Sequence, residues 1–421
     1  IYLKTNRIRE AEDMLKSAIA ISASGQYPDI EWRAKSINGS LLERTGNHRE
    51  ALISLQQSIE ILERMRQRIT PEDLRHSFLT DRFDPFKLMV SLLYDSAQDK
   101  RMVLEFVDRA KSLTLKEHLK PDGSAPGSPM DSPAVEKNPY SIVEYFFAYD
   151  ELLIFFSGQG TIKAVSQNIP KEEISRQIQT YLESIRGNDS KTFIKIARLL
   201  YDELIAPIEK SALIDSSETL VILPDGPLHL LPFAGLQDRN GRFLIEKVPL
   251  TFAPSRSVFN HCLFSNRGKP AENRAVLIDG SSSLPSAREE LVYLSRLYGQ
   301  NASILAPEDL PTTFSQTVAR SEILHFSGHA DNVQGKPVLL LQTSPRETYL
   351  DCQAISTWRM PRVYLVNLAG CSTGTGPLSE GEAPWGLIPA FLNTGAPAII
   401  ASLMPVDDFS TKCLNLRFYE L

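Results

Sequence analysis

The segment VYLVNLAGCSTGTG, residues Val363–Gly376, is an apolar run that stops at a turn of small residues around Cys371. A second apolar run, in the segment ILHFSGHA, stops in the same way at the small residues just before His329. Further apolar runs bounded by turn residues are LVILPDG, AVLIDG, VLLLQ and AIIASLMPV. Near-continuous apolar strands of this kind are typical of a mainly parallel sheet covered on both faces. These runs therefore predict an α/β domain.

Helix-like stretches separate several of these strands, for example Ser286–Gly299 and Pro384–Gly395. Farther upstream, SIVEYFFAYDELLIFFSGQGTIKAV indicates two or three paired strands, and SKTFIKIARLLYDELIAPI indicates an amphipathic helix. Ligands of parallel sheets bind beyond the carboxyl ends of the strands. If the two strands that precede His329 and Cys371 are neighbours, both side chains lie at one edge of the sheet.

A histidine beside a cysteine suggests acyl-transfer chemistry. A free thiol is mostly protonated at neutral pH, and an imidazole can take its proton and later return it to a leaving amine. Gly370, Ser372 and Gly374 would let a substrate backbone approach the sulfur. From the residues alone, structural roles remain the default for both side chains, because buried cysteines and hydrogen-bonded histidines are common.

Residues 1–120 have the pattern of repeated amphipathic helices. The tripeptide Arg-Glu-Ala occurs at Arg9–Ala11 and again at Arg49–Ala51, and apolar residues follow each copy at steps of three and four. A weaker third copy lies at Lys100–Leu115. The segment resembles tetratricopeptide repeats, which form α-helical solenoids. An unrelated helical bundle is the alternative.

Residues 121–139, PDGSAPGSPMDSPAVEKNP, have the proline, glycine and serine content of a linker. We interpret them as a boundary before a third segment, residues 140–421. A passive tether is the simpler interpretation, and a protease-sensitive regulatory site is the alternative.

Composition limits the partners and the compartment. The 421 residues carry 45 basic and 51 acidic side chains, and a net charge of −6 does not favour nucleic acid or anionic membrane as a direct partner. The four cysteines form no C-x-x-C pair, so neither a zinc site nor a disulfide framework is indicated, and we expect a cytoplasmic protein. No membrane span is expected. The abrupt ends suggest a piece of a longer protein, incomplete at the C-terminus.

Six ordered motifs resemble the CHAT family of caspase-like cysteine peptidases, which are related to caspases and separase and are often fused to tetratricopeptide repeats. They are LVILPDGPLHLLPFAGL, LTFAPS, ILHFSGHA, LVNLAGCSTGTG, SEGEAPWGLIPAFLNTGAPAIIASLMPVDD and RFYEL. The resemblance covers residues 140–421. It implies a caspase-like domain with Cys371 as nucleophile and His329 as general base and acid. It also implies an oxyanion hole from the backbone amides of Ala330 and Cys371, and no cofactor or metal.

The resemblance also suggests a specificity pocket. Separase-like relatives often place acidic residues after the strand that corresponds to AIIASLMPV, where they receive a basic P1 side chain, the residue before the scissile bond. Asp407 and Asp408 are the candidates here, with a helix N-cap as the alternative. The family pattern usually has tryptophan at the position of Met404, so this sequence departs from it next to the predicted pocket. Glu380 and Glu382 would either bind substrate or cap the following helix.

Other motifs favour structural interpretations. His325 lies four residues before His329, and a packed strand histidine is a simpler interpretation than a metal ligand. The segment GCSTGTG lacks the Gly-Lys-Ser/Thr ending of a phosphate loop, which argues against a nucleotide-dependent regulator. His229, in a motif of the family, is expected to support the fold.

The resemblance implies a protein substrate that is cut when a regulatory protein or ribonucleoprotein engages the helical repeats. Family members in bacterial defence islands act in this way, including members controlled by RNA-guided effectors. The expected function is therefore a regulated cysteine endopeptidase in antiviral defence, of a gasdermin-type or CRISPR-associated system. The alternative is a catalytically silent scaffold with a caspase-like docking domain. Both His329 and Cys371 are present, which argues against a decayed site.

Overall fold

The computed structural model describes residues 2–3, 5–69, 72–96, 100–111, 113–119, 140–158, 160–209, 218–264, 272–280, 283–306, 314, 316–333, 335–343 and 346–421. The predicted linker, residues 121–139, lies outside the described residues. No helix in these ranges is long and apolar enough to cross a lipid bilayer. The described residues form a helical region, a mixed sheet, a parallel sheet and a small antiparallel sheet.

The helical region is built from antiparallel helices whose apolar stripes face each other. Its first two repeat copies form α1 and α3, each packed against α2, and Gly39 of α2 allows Leu55 of α3 to pack directly against its backbone. The described residues of the third copy form Lys100–Ala110 and the start of Leu113–Leu119, both helical. The helices are α1 (Ile8–Ser24), α2 (Pro28–Arg44), α3 (His48–Gln67), α4 (Glu72–Ser77), α5 (Asp84–Ser96), α6 (Lys100–Ala110) and α7 (Leu113–Leu119).

The mixed sheet has the strand order β3-β2-β1-β4-β5. The predicted paired strands form its antiparallel half, while β4 and β5 run parallel to β1. Helices α8–α10 come between β3 and β4 along the chain, and α11 follows β5. The elements are β1 (Tyr140–Ala148), β2 (Glu151–Gly158), β3 (Thr161–Gln167), α8 (Lys171–Arg186), α9 (Ser190–Leu204), α10 (Ala206–Glu209), β4 (Thr219–Leu223), β5 (Leu250–Phe252) and α11 (Arg256–Phe264).

The mixed sheet is covered on both faces because neighbouring side chains on a strand point to opposite sides. Tyr145 and Phe147 of β1 pack against α8 and α9. Phe146 of β1 and Phe155 of β2 belong instead to the core of the helical region. The helical region and the mixed sheet therefore share one hydrophobic core.

The parallel sheet has the strand order β13-β12-β8-β6-β7, and every neighbouring pair is parallel. Helices α12 and α15 cover one face, and α13 and α14 cover the other. This arrangement confirms the predicted fold class, an N-terminal helical region followed by an α/β domain with a mainly parallel sheet flanked by helices. The elements are β6 (Ala275–Gly280), α12 (Pro285–Tyr298), β7 (Ala302–Leu305), β8 (Ile323–Gly328), α13 (Cys352–Ser356), β12 (Leu365–Ala369), α14 (Leu387–Asn393), β13 (Ile399–Ile400) and α15 (Asp408–Glu420).

The small antiparallel sheet follows β8 and has the strand order β11-β10-β9. Its strands are β9 (Ala330–Val333), β10 (Lys336–Thr343) and β11 (Arg346–Leu350). Val338, Leu339 and Leu341 of β10 are buried. The turn from β8 into β9 is the turn that carries His329.

Candidate active site

The site begins at the carboxyl ends of β8 and β12, which are neighbouring parallel strands. Their register pairs Ser327 with Ala369. His329 and Cys371 each lie two residues beyond this last pair, so they follow their strands at equivalent positions. The fold therefore places the histidine and the cysteine at one edge of the sheet, where parallel sheets bind ligands.

Three glycines bring the strand ends at this edge unusually close together. A Cβ added to Gly328 would lie 2.5 Å from the carbonyl oxygen of Gly280, and one added to Gly370 would lie 2.8 Å from the carbonyl oxygen of Gly328. The obstructing atoms are backbone atoms, which cannot move aside as a flexible side chain can. Glycine is thus required at the residues that immediately precede His329 and Cys371.

The thiol of Cys371 is partly buried and contacts the segment that follows β13. The amide of Val406 donates a hydrogen bond to Sγ at 3.4 Å, and Sγ lies 3.6 Å from the carbonyl oxygen of the same residue. Sequence analysis did not identify Val406. The apolar run AIIASLMPV predicted a longer strand, but β13 contains only Ile399–Ile400, and the chain beyond it turns toward the cysteine.

The imidazole of His329 has a different partner. Its Nε2 lies 3.0 Å from Oγ of Ser283, three residues beyond the end of β6. The backbone of His329 is fixed as well, because the Leu340 amide donates a hydrogen bond to its carbonyl oxygen at 2.9 Å. Among the residues that the structure describes, no hydrogen bond joins this imidazole to the Cys371 thiol.

Ser283 could have been found from the sequence. It lies in GSSSLPS, directly after the apolar run AVLIDG, which was predicted as a strand of the same sheet. The separate partners of thiol and imidazole could not have been predicted, because they depend on the exact rotation of the two side chains.

The turn after Cys371 holds a strained backbone. Ser372 has φ +53°, a left-handed backbone conformation that residues other than glycine rarely adopt. Its amide donates to the carbonyl oxygen of Met404 at 3.1 Å, and the Gly374 amide donates to that of Ser402 at 2.8 Å. Strained residues persist where their surroundings hold them, and they are concentrated at functional sites.

The predicted oxyanion-hole residues flank this edge. Ala330 begins β9, and its amide nitrogen lies 3.6 Å from the position that a Cβ on Gly370 would occupy. The Ala330 amide thus lies close to the backbone that leads into Cys371.

The predicted pocket aspartates both cap helices. Asp407 is exposed and accepts hydrogen bonds from the Ser410 amide and hydroxyl at the start of α15, and these hydrogen bonds lower the pKa of its carboxyl group. Asp408 accepts hydrogen bonds from the backbone amides of Ser286 and Ala287 at 2.9 and 3.0 Å. It thereby caps α12, a helix distant in sequence.

The predicted pair Glu380 and Glu382 is engaged by cations of the chain; Glu380 is half-buried and Glu382 is buried. Burial raises the pKa of Glu380, but Lys171 and Lys87 outweigh this effect and hold it below its usual value. Glu382 is buried and forms an ion pair with Arg66 of the helical region. Neither carboxylate caps α14, because that helix begins at Leu387 after Gly386.

A buried polar cluster lies beneath the strand ends. His325 is fully buried, with Nε2 2.7 Å from Oε1 of Glu290 and Nδ1 3.1 Å from the hydroxyl of Tyr419. His325 is therefore a packed strand histidine, as predicted. Tyr419 belongs to the RFYEL motif and attaches α15 to the sheet, and burial raises its pKa.

Comparison with known families agrees with this arrangement. The model of the CHAT domain family matches residues 195–421, which include the whole parallel sheet and both candidate residues. The match begins inside α9, although the structure builds the mixed sheet from Tyr140 onward. The tetratricopeptide-like character of the helical region stays a prediction. No curated protein matches the chain. Because the match covers more than half of its residues, the chain belongs to the CHAT domain family.

Proposed function

We propose that this chain is a cysteine endopeptidase in which Cys371 is the nucleophile and His329 is the general base and acid. The observation that carries the proposal is the common sheet edge, to which β8 and β12 deliver the two residues in register within a CHAT domain. His329 would accept the thiol proton, and the thiolate sulfur would form a bond with the scissile carbonyl carbon. The amides of Ala330 and Cys371 would donate to the developing oxyanion.

The remaining steps need only the same groups and water. The imidazolium would give its proton to the leaving amine as the peptide C–N bond breaks, which leaves a thioester on Cys371. Water, deprotonated by His329, would then attack the thioester carbon and release the acid. Ser283 would orient the imidazole through its hydrogen bond with Nε2, as a third group orients the base in such sites.

The proposed substrate is a partner protein, cut after a basic residue. Asp407 suits a basic P1 side chain best among the four predicted carboxylates, because it is exposed and its pKa is lowered. Asp407 caps its own helix, but both of its hydrogen bonds from Ser410 go to Oδ1. Asp408, Glu380 and Glu382 are less exposed and are engaged by a second helix or by cations of the chain. The basic preference depends on the family resemblance and on the position of Asp407.

We further propose that a protein or ribonucleoprotein engages the helical region and controls cleavage, as in a bacterial defence effector. Solenoids of helical hairpins offer extended surfaces for such partners. This part of the proposal depends on the resemblance to repeat-fused CHAT proteins and on the contacts between the helical region and the peptidase segment.

A non-catalytic scaffold is the second candidate. It is favoured by the separate partners of the two side chains, since the thiol contacts Val406 and the imidazole contacts Ser283. A working dyad requires the imidazole to reach the sulfur. Under the peptidase proposal, substrate or partner binding brings them together.

Alkylation kinetics test the proposal directly. Iodoacetamide labelling is followed by peptide mass spectrometry between pH 5 and 8, with exposed Cys413 as the internal reference. An activated Cys371 should react about tenfold to a hundredfold faster than Cys413 near pH 6, because an ordinary thiol is almost entirely protonated there. His329→Ala should remove this advantage, whereas His48→Ala, at an exposed helix start, should retain it.

Peptide cleavage gives the second readout. Fluorogenic peptides with Arg, Lys, Asp or Leu at P1 compare the predicted basic preference with the alternatives, and Cys371→Ala is the inactive control. Equal labelling of Cys371 and Cys413, unaffected by His329→Ala and by partner addition, would support the scaffold function.

A further inference from the structure

The chain segment that follows the candidate nucleophile forms a closed loop, Pro377–Trp385. The amide of Trp385 donates to the carbonyl oxygen of Pro377 at 2.9 Å, which ties the two ends of the loop together. The loop joins directly to the turn of Cys371, where the Thr375 amide donates to the carbonyl oxygen of Ser372 at 3.1 Å. A displacement of the loop would thus act directly on the turn that holds the sulfur.

The tip of the Pro377–Trp385 loop lies against the helical region. Gly381 has φ +70°, and a Cβ added there would lie 2.4 Å from the ring of Phe83 and 2.6 Å from the carbonyl oxygen of Ala110. The loop backbone therefore packs directly onto helices that are distant in sequence. Only glycine satisfies both the conformation and the space.

A buried ion pair fixes the loop beside this contact. Nη2 of Arg66, in α3, lies 3.4 Å from Oε1 of Glu382, and the two side chains are 1% and 2% exposed. If the loop left this position, the buried guanidinium would lose this carboxylate, which is costly in a low-dielectric interior. The pair therefore opposes movement of the loop away from α3.

His76 of α4 makes a further set of contacts with the same loop. Its Nε2 lies 3.0 Å from the carbonyl oxygen of Ala383, and its Nδ1 lies 3.1 Å from Oγ of Ser379. Its ring also packs against Trp385, with centroids 5.1 Å apart. Residues of α3 and α4, together with Phe83 and Ala110, thus hold one loop at several points along its length.

We propose that Gly381 and Glu382 are positioning residues, through which the helical region fixes the turn of Cys371 at the sheet edge beside His329. The inference rests on the proposed function, because it takes Cys371 as the nucleophile. The strained backbone of Ser372 fits this role, since such a conformation persists only where the flanking chain is held. A partner protein that moves α3 or α4 would change the reactivity of Cys371 through this loop.

The test displaces the loop without removing a charge. Gly381→Ala places a methyl group against Phe83 and the Ala110 carbonyl, whereas Gly46→Ala, at φ +80° with no atom within 4 Å, imposes a similar backbone cost without a clash. The ratio of Cys371 to Cys413 alkylation rates should fall at least about tenfold in Gly381→Ala as the thiol loses its activation. In Gly46→Ala the ratio should stay within about twofold. Hydrogen exchange should accelerate in peptides covering 371–386 only in Gly381→Ala.

A second variant separates positioning from a general loss of folding. The pair Arg66→Met with Glu382→Leu removes both buried charges and keeps similar volume. The ratio of Cys371 to Cys413 alkylation rates should also fall in this double variant. Circular dichroism and the urea unfolding midpoint should show that the chain is still folded. Reintroducing the charges in swapped positions, Arg66→Glu with Glu382→Arg, should restore part of the ratio.

The outcomes separate this inference from the proposed function. If Cys371 of the unaltered chain reacts no faster than Cys413, with or without candidate partners, the peptidase proposal fails. Cys371 of the unaltered chain could instead be activated while the folded Gly381→Ala variant shows the same ratio of Cys371 to Cys413 alkylation rates as Gly46→Ala. That result would overturn the positioning role alone. A higher ratio in Gly381→Ala would also overturn it, because the helical region would then restrain the site.

Discussion

Replacing Gly328 by alanine should separate the strand ends that deliver the candidate residues. The new Cβ would lie 2.5 Å from the Gly280 carbonyl oxygen, about 0.9 Å inside an ordinary van der Waals contact. Because the obstructing atoms belong to the backbone of the neighbouring strand, β8 must move away from β6. Overpacking of this kind costs about 1–3 kcal/mol, and we expect the upper half of that range.

Gly374→Ala is the matched control in the same neighbourhood. Its Cβ would meet the carbonyl oxygen of Ser402 at 3.3 Å, and its other nearest neighbours are side-chain atoms at 3.4 Å. We expect a cost below about 1 kcal/mol there, because shifts of about 0.1 Å suffice.

Urea unfolding measures the two costs. Trp358 and Trp385 report on the domain that contains both glycines, and alkylation of Cys371 reports on the site in the folded state. Gly328→Ala should lower both the unfolding free energy and the alkylation rate, and Gly374→Ala should change the unfolding free energy much less. Equal unfolding free energies for the two variants would refute the argument that backbone contact at the strand ends requires glycine.

Further predictions concern stability. His229 is half-buried, and the desolvation of its ring, with the charge of Lys111, lowers its pKa to about 3. Only the unfolded chain therefore binds this proton between about pH 6.5 and 3, so the unfolding free energy should fall as the pH drops from 7 to 5. In urea titrations this fall should be smaller for His229→Gln, by up to about 2 kcal/mol. Asp408→Ala removes the cap at Ser286 and should lower the unfolding free energy by about 1 kcal/mol in urea titrations. Asp408→Asn can still accept these hydrogen bonds and should retain most of the stability. Tyr419→Phe removes the hydroxyl that contacts Nδ1 of buried His325 and should lower the unfolding free energy by about 1–2 kcal/mol. An unchanged unfolding free energy would contradict the structural role of the RFYEL motif.

The sequence predicted the parts of the site that depend on local pattern. The apolar runs before His329 and Cys371 indicated strands, and the small residues after them indicated where those strands end. It left open whether β8 and β12 are neighbours, because strand order depends on packing between distant segments. The structure supplies this order, and with it the common edge.

Contacts between distant segments explain the remaining differences. Asp408 was expected in a pocket or at a local helix cap, and it caps α12, more than 100 residues away in sequence. Glu382 was expected near substrate or at a helix start, and it pairs with Arg66 of the first helices. A carboxylate has the same local signature in each of these roles, so only the assembled fold distinguishes them.

The shared core of the helical region and the mixed sheet bears on how the protein can be divided. Phe146 and Phe155 of the sheet are buried among side chains of the first helices. If the chain were cut within residues 121–139, the two fragments would remain a noncovalent complex, and either fragment expressed alone would expose a large apolar face. Production of the segment that follows residue 139 therefore calls for co-expression with its own helices. Exchanging helical regions between family members requires the matching face of the sheet to be exchanged with them.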